Sequence, residues 1–228
     1  MIINNNLTII ENNIEKALRR AGRTGDKVHI VAVTKTVETD RIIEALEIGL
    51  DNIGENRVQE LVQKYDIIGK GPKYHMIGHL QSNKAKDIID KVTLIHSLDR
   101  ASLSREIDKR AKARDIIADV LIQVNVAGEE SKHGLRVDEV IPFIEETLQY
   151  SNIRIKGLMT IAPFVEEAEE VRWVFREMRK LYDEINARGY EGVDMEFLSM
   201  GMTNDYEVAI EEGSNMIRVG TGLFGERK

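Results

Sequence analysis

Apolar positions along this chain change their period repeatedly, and the changes mark out its elements. From about Asn4 to Arg23, Leu7, Ile10, Ile14 and Leu18 recur at steps of three or four, which predicts an amphipathic helix with one buried stripe. Beyond it come short β-branched runs: VHIVAVT (28–34), NIGEN (52–56), YHMIGH (74–79), TLIHSL (93–98), DVLIQVNV (119–126), RIKGLMTI (154–161), MEFLSMG (195–201) and MIRVGTG (216–222). Between them lie stretches of helical period: TDRIIEALEIG, RVQELVQKYDII, SNKAKDIID, DRASLSREIDKRAKAR, DEVIPFIEETL, EEAEEVRWVFREMRKLYDEINARG and NDYEVAIEEG. In the longest of these, Val171, Val174, Phe175 and Met178 form the face expected to meet the sheet.

Eight strands alternating with helices predict a parallel sheet, and that number suits closure into a (β/α)8 TIM barrel with the leading helix as an addition. Runs such as IVAV and VLIQV are apolar on both faces, as a sheet lying between helices and a packed barrel interior requires. No GxGxxG follows the first strand, which counts against a Rossmann arrangement. A single domain over 1–228 is expected, since no Pro/Gly/Ser-rich linker interrupts the chain and only 3 prolines occur.

Composition narrows the function classes. The net charge of −7 argues against a general nucleic-acid or membrane-surface binder, which needs a basic face. Without cysteine there is no disulfide, thiolate metal site or Cys nucleophile. The polar, acidic amino terminus MIINNNLTIIENN does not read as a secretory signal, so a cytoplasmic protein is expected.

Barrel chemistry collects at the C-terminal ends of the strands. There the sequence places Lys35, Glu55 with Asn56, His79, Ser97, Asn125, Thr160, Ser199 with Met200 and Gly201, and Arg218 with Gly220. Lys35, closing the strand HIVAVT, is either a lysine that snorkels to water or an amine that traps a carbonyl compound. At its ordinary pKa only roughly one lysine in 2,500 is neutral at pH 7, so the second role calls for desolvation. In the tail SMGMTNDYEVAIEEGSNMIRVGTGLFGER, Thr203 or Asn204 can cap a helix, and Glu207 completes a capping box if Asn204 is the cap. Open N–H groups there, with Ser199, Thr203, Gly220 and Thr221, form a cradle suited to a phosphate; simple tight turns are the plainer alternative. Alternation puts Met216, Arg218 and Gly220 on one face of the last strand, so Arg218 needs a partner in the barrel mouth. His75 and His79 have the spacing of a helical metal pair but fall on a strand without an HExxH glutamate, so no metal is expected. The polar loop in VNVAGEESKHGLR has the length of a site loop or of a plain solvated turn.

The lysine, the strand count and the tail together resemble one family, the pyridoxal 5′-phosphate homeostasis proteins, also called the YggS or proline synthetase co-transcribed family, related in fold to the alanine racemase N-terminal barrel. The resemblance runs over essentially the whole chain: VAVTK (31–35), IGENRVQE (53–60), HMIGHLQSNK (75–84), HSLD (96–99), VNVAGEESKHGL (124–135), GLMTI (157–161), LSMGMTNDYEVAI (198–210) and IRVGTGLFGER (217–227). It implies that Lys35 holds pyridoxal 5′-phosphate as an internal aldimine. It assigns the phosphate to Ser199, Gly201, Thr203, Gly220 and Thr221, sets Arg218 by the pyridine nitrogen, and has Asn56, His79 and Met200 line the ring. A guanidinium cannot protonate the ring nitrogen, so the cofactor is a weaker electron sink than one paired with a carboxylate, which disfavours transamination. A chain ending at Lys228 is expected to lack the second domain of the racemase, leaving a solvent-open site one catalytic base short. The expected function is therefore storage and delivery of the cofactor to apo-enzymes, without robust turnover, by a protein expected to be a monomer. A small amino-acid racemase is the first alternative and a phosphosugar enzyme with a Schiff-base lysine the second. Lys132 and His133 are candidates for the route by which the cofactor enters and leaves.

Overall fold

The protein is described from a computed structural model covering residues 2–129 and 132–225. Eight parallel strands, β1 (His29–Val33), β2 (Asn52–Glu55), β3 (Lys73–Met76), β4 (Leu94–Leu98), β5 (Ala118–Val124), β6 (Ile153–Thr160), β7 (Val193–Met202) and β8 (Met216–Val219), form a closed barrel in sequence order. β8 pairs with β1, Val31 standing opposite Arg218. Helices α2 (Thr39–Glu47), α3 (Val58–Ile68), α4 (Ala85–Ile88), α5 (Ala101–Lys112), α6 (Val137–Thr147), α7 (Arg172–Arg188) and α8 (Tyr206–Glu211) alternate with the strands, α1 (Ile2–Arg20) precedes them, and α9 (Thr221–Phe224) follows. The barrel with an extra leading helix is thus the expected architecture. No described helix is long and apolar enough to cross a membrane.

Alternation along each strand divides the apolar side chains between two layers. Val31, Ile77, Leu94, Leu121, Met159 and Met216 pack inside the barrel, while the larger outer cluster joins strands to helices and includes Val171, Val174, Phe175 and Met178 of the α7 segment. The stripe on α1 closes over β8, α8 and α9, burying Leu7, Ile10, Ile14 and Leu18 against Ile210, Ile217, Val219 and Leu223. Polar contacts fix this lid: Asn6 donates to the Leu223 carbonyl at 2.9 Å, and Asn13 donates to the Tyr206 hydroxyl at 3.1 Å. The pairing between β6 and β7 shifts register between Ile155 and Gly157. There Gly157 lies at φ +137°, and a Cβ on it would fall 1.8 Å from the Phe197 carbonyl oxygen, so no other residue fits.

Several expected boundaries move. β3 stops at Met76, leaving His79 in the following loop, and the GTG at the end of the expected last strand instead caps and begins α9. α7 begins only at Arg172, after a 3-10 turn over Ala168–Val171. The capping box at Asn204 does not form: Asp205 occupies the N-cap of α8, and its carboxylate accepts the Met202 N–H at 2.5 Å. Glu55 and Ser97 alternate outward and are fully buried under the helices, so the ring of polar strand ends is narrower than the sequence suggests.

Candidate functional site

The side chain of Lys35 stands just past the end of β1, where the chain turns through Thr36 at the positive φ of 62°. Its flanks are tied to the helix layer. Behind the barrel wall, the fully buried Glu55 accepts from the Lys64 ammonium at 2.6 Å and from the Thr34 hydroxyl through the same oxygen. Lys64 donates as well to the Thr34 carbonyl at 2.6 Å, and Glu60 accepts the Thr36 N–H at 3.1 Å. Burial pushes the Glu55 carboxyl above the usual range, and Lys64 and then Thr34 pull it back. A buried pair of this kind is a locating device for the backbone at residues 34–36 rather than a net source of stability.

Lys35 and Val33 form one wall of a cavity of about 210 Å³ at the barrel mouth. Arg218, Gly220 and Thr221 at the end of β8 line the same space, as do Met202, Thr203, Asn204 and Asp205 between β7 and α8. The β6 loop completes it with Pro163, Val165 and the exposed ring of Phe164. The expected Lys35, Thr203, Arg218, Gly220 and Thr221 are therefore brought together. Met202, Asn204, Asp205 and Phe164 are additions; the alternation of β7 could have flagged Met202, but nothing in the sequence pointed to Phe164.

Other expected ligands lie elsewhere. Met200 is fully buried in the outer layer with Val208 and Ala209, because it alternates away from the barrel axis. Gly201 faces α8, where an added Cβ would come within 2.8 Å of the Tyr206 Cα. Ser199 is buried beneath Arg218 rather than open to the cavity. Asn56 follows β2 and His79 lies in the loop after β3, and neither is among the residues lining the space that holds Lys35. Lys132 bonds to Glu129 at 2.8 Å and to the Ala162 carbonyl at 3.1 Å, while the His133 ring stacks on that of His79.

Arg218 is buried at the cavity floor, and burial lowers its pKa to about 10, opposed by the charge of Asp205; it remains a cation at neutral pH. Its guanidinium donates to the Ser199 hydroxyl at 2.7 Å and to the Thr160 carbonyl at 2.8 Å. The chain of bonds continues down the barrel interior: Ser199 to His96 Nδ1 at 3.2 Å, His96 Nε2 to His75 Nδ1 at 2.9 Å, and His75 Nε2 to the Asn52 side-chain oxygen at 3.1 Å. Because a guanidinium can only donate, Ser199 must pass its proton on to His96, and each imidazole in turn carries its hydrogen on Nε2. Desolvation above all keeps both rings neutral, taking His75 down to about 4 and His96 well below its ordinary value. The polar thread therefore presents one positive charge at the mouth, with its acceptors arranged underneath. Asp205 has its carboxyl raised by burial, partly offset by the Met202 N–H and by Arg218.

Comparison with known proteins gives a consistent match. The family described as alanine racemase, N-terminal domain, matches residues 6–228. A pyridoxal phosphate homeostasis protein of Aquifex aeolicus is 47% identical over 223 residues, covering 97% of each chain. Among solved structures, an unknown protein from Bifidobacterium adolescentis superposes with a TM-score of 0.91 at 36% identity, covering 97% of this chain and 94% of that one. PipY of Synechococcus elongatus PCC7942, solved with PLP bound, gives 0.81 at 31% identity over 93% of this chain and all (100%) of that one.

Proposed function

This chain belongs to the alanine racemase N-terminal-domain family and, within it, to the pyridoxal phosphate homeostasis proteins, and from that premise we propose that it binds pyridoxal 5′-phosphate on Lys35 and holds it for release to other proteins. The observation that carries this reading is the convergence of one lysine, one buried guanidinium and a glycine-threonine turn on a single small cavity. The turn fits a phosphate. A Cβ on Gly222 would lie 2.9 Å from Thr203 Cγ2, so the backbone at the start of α9 comes as close to Thr203 as glycine allows. The Gly222 N–H and the Thr221 hydroxyl already face the Thr203 hydroxyl, at 3.3 and 3.4 Å.

In this arrangement Lys35 would hold the cofactor through its aldehyde, a reversible linkage that another amine could displace. Thr203, Gly220 and Thr221 would hold the phosphate, and Arg218, kept in place by Ser199 and the Thr160 carbonyl, would serve the ring nitrogen as a donor. When bound, the cofactor supplies an electron sink, and a donor that never gives up its proton to the ring keeps that sink weak. Among the described residues lining the cavity, the titratable side chains are Lys35, Asp205 and Arg218. One oxygen of Asp205 is held by the Met202 N–H at the start of α8, and Lys35 is the one amine among these groups. That supports holding and transfer over racemisation.

Purification, borohydride reduction and peptide mapping test the site: a pyridoxyl mass on Lys35 is expected, and the Lys35→Ala protein is expected to be colourless. A mass on another lysine, or a yellow Lys35→Ala protein, overturns the assignment. Rapid stereorandom exchange of Cα hydrogens of amino acids in deuterated buffer would refute the non-catalytic reading.

A further inference from the structure

At the barrel mouth, three loops place two imidazoles and a carboxylate together outside the cavity that holds Lys35. His79 follows β3, Asp99 follows β4, and His133 lies in the loop between β5 and α6. One ligand-capable atom from each falls within 4.8 Å of the others. We propose that these three side chains bind a divalent cation of the zinc class, with the fourth position open to water.

The spacing favours an ion over a direct bond. His79 Nδ1 and Asp99 Oδ2 are 3.7 Å apart, too long for a hydrogen bond. Ligand atoms at about 2.0–2.2 Å around a tetrahedral zinc stand about 3.4 Å from one another, so the observed gap is close to such an edge. The rings of His79 and His133 stack, 3.7 Å apart at 15°, and one nitrogen of each lies within 4.8 Å of the other. Turning these nitrogens onto one ion is a movement of χ2, a soft torsion in histidine. Two imidazoles, a carboxylate and no sulfur suit zinc and its neighbours rather than calcium or magnesium, which prefer oxygen.

The residues that hold these ligands are in place. Arg100 grips the other oxygen of Asp99 at 2.6 Å and is itself anchored on the Leu80 carbonyl at 2.6 Å, so the free oxygen of Asp99 turns toward His79. The Gln123 amide donates to the His133 carbonyl at 3.0 Å and fixes that residue's backbone. Such outer contacts orient ligands in established metal sites. In sequence, His79 has His75 four residues away but on a strand, and no metal is expected there. In the fold His75 is committed to His96 and Asn52 inside the barrel, and the partners of His79 come from 20 and 54 residues further along.

The proposal does not rest on the cofactor reading, and its test keeps the two apart. Zn²⁺ is titrated into the full chain against a chromophoric chelator, and Co²⁺ into a parallel sample to read ligand-field absorption. One ion per chain is expected, with the cobalt band displaced by zinc, and with the same affinity in Lys35→Ala and in His29→Gln. His133→Gln and Asp99→Asn are expected to weaken binding by at least about tenfold. Absence of a stoichiometric cobalt band in the unmodified protein overturns the proposal without recourse to any variant. Equal zinc affinity in the unmodified protein and in His79→Gln/His133→Gln overturns it as well.

Discussion

Replacing Lys64 by methionine isolates the buried pair behind the Lys35 strand. The substitution keeps most of the side-chain volume and removes the ammonium that serves both Glu55 and the Thr34 carbonyl at 2.6 Å. Glu55 is 0% exposed, and its second oxygen has no partner among the described residues, so no other cation compensates for the lost ammonium. Breaking one side of a buried pair costs about 3–5 kcal/mol, a large share of a total that is about 5–15 kcal/mol. With a urea slope of about 3 kcal/mol/M, the midpoint falls by about 1–1.7 M. The deficit depends on pH in a fixed direction. Burial raises the folded-state pKa of Glu55, and loss of Lys64 removes the larger of the effects that lower it, so the folded variant binds a proton more readily than the unfolded chain. Its stability is highest below the unfolded value and falls as pH rises through the folded one, by about 1.4 kcal/mol per unit. Urea unfolding followed by circular dichroism at mildly acidic and mildly alkaline pH reads both effects. Glu55→Gln combined with Lys64→Met is expected to recover part of the loss. A Lys64→Met protein within about 1 kcal/mol of the parent at alkaline pH, or one whose deficit shrinks as pH rises, would refute the reasoning.

Two other outcomes follow from the same structure. Gly157→Ala puts a methyl group 1.8 Å from the Phe197 carbonyl at a φ of +137°, so strain and overpacking of about 1–3 kcal/mol each are expected; Gly49→Ala, at φ +92° with nothing within 4 Å, is expected to lose only the strain. Thermal melts compare the two, and equal losses would contradict the close approach. The neutral His75, at about 4 in the folded chain against about 6.5 unfolded, makes stability fall as pH drops from about 6.5 to 4, at up to about 1.4 kcal/mol per unit. His75→Asn is expected to flatten that limb of the pH–stability curve, and an unchanged slope would count against a neutral buried ring.

The strand count, the inward face of β8 and Lys35 were legible because each rests on a short local pattern: a period of two, a β-branched run, a charge where the run stops. Met200 and Glu55 were misplaced because strand-end position alone does not say which way a side chain points; that depends on where each strand ends and on register shifts such as the one between Ser199 and Met202. The N-cap at Asp205 was missed by one residue because Asn204 is the better-looking cap in isolation, and the Met202 N–H that claims Asp205 is visible only in the folded turn. The thread from Arg218 through Ser199, His96 and His75 joins residues from four strands, and no spacing in the sequence announces it. Phe164 belongs to a loop, where periodicity carries no information.

The seam between β1 and β8 has a consequence for how the protein is made. Lys35 is synthesised well before Arg218, and the two line one cavity only after the barrel has shut. A ribosome-bound chain short of its final strand carries the lysine without the guanidinium or the turn that follows it. Capture of a small ligand there is accordingly a post-translational event, and occupancy of the cavity reports that translation has run through β8.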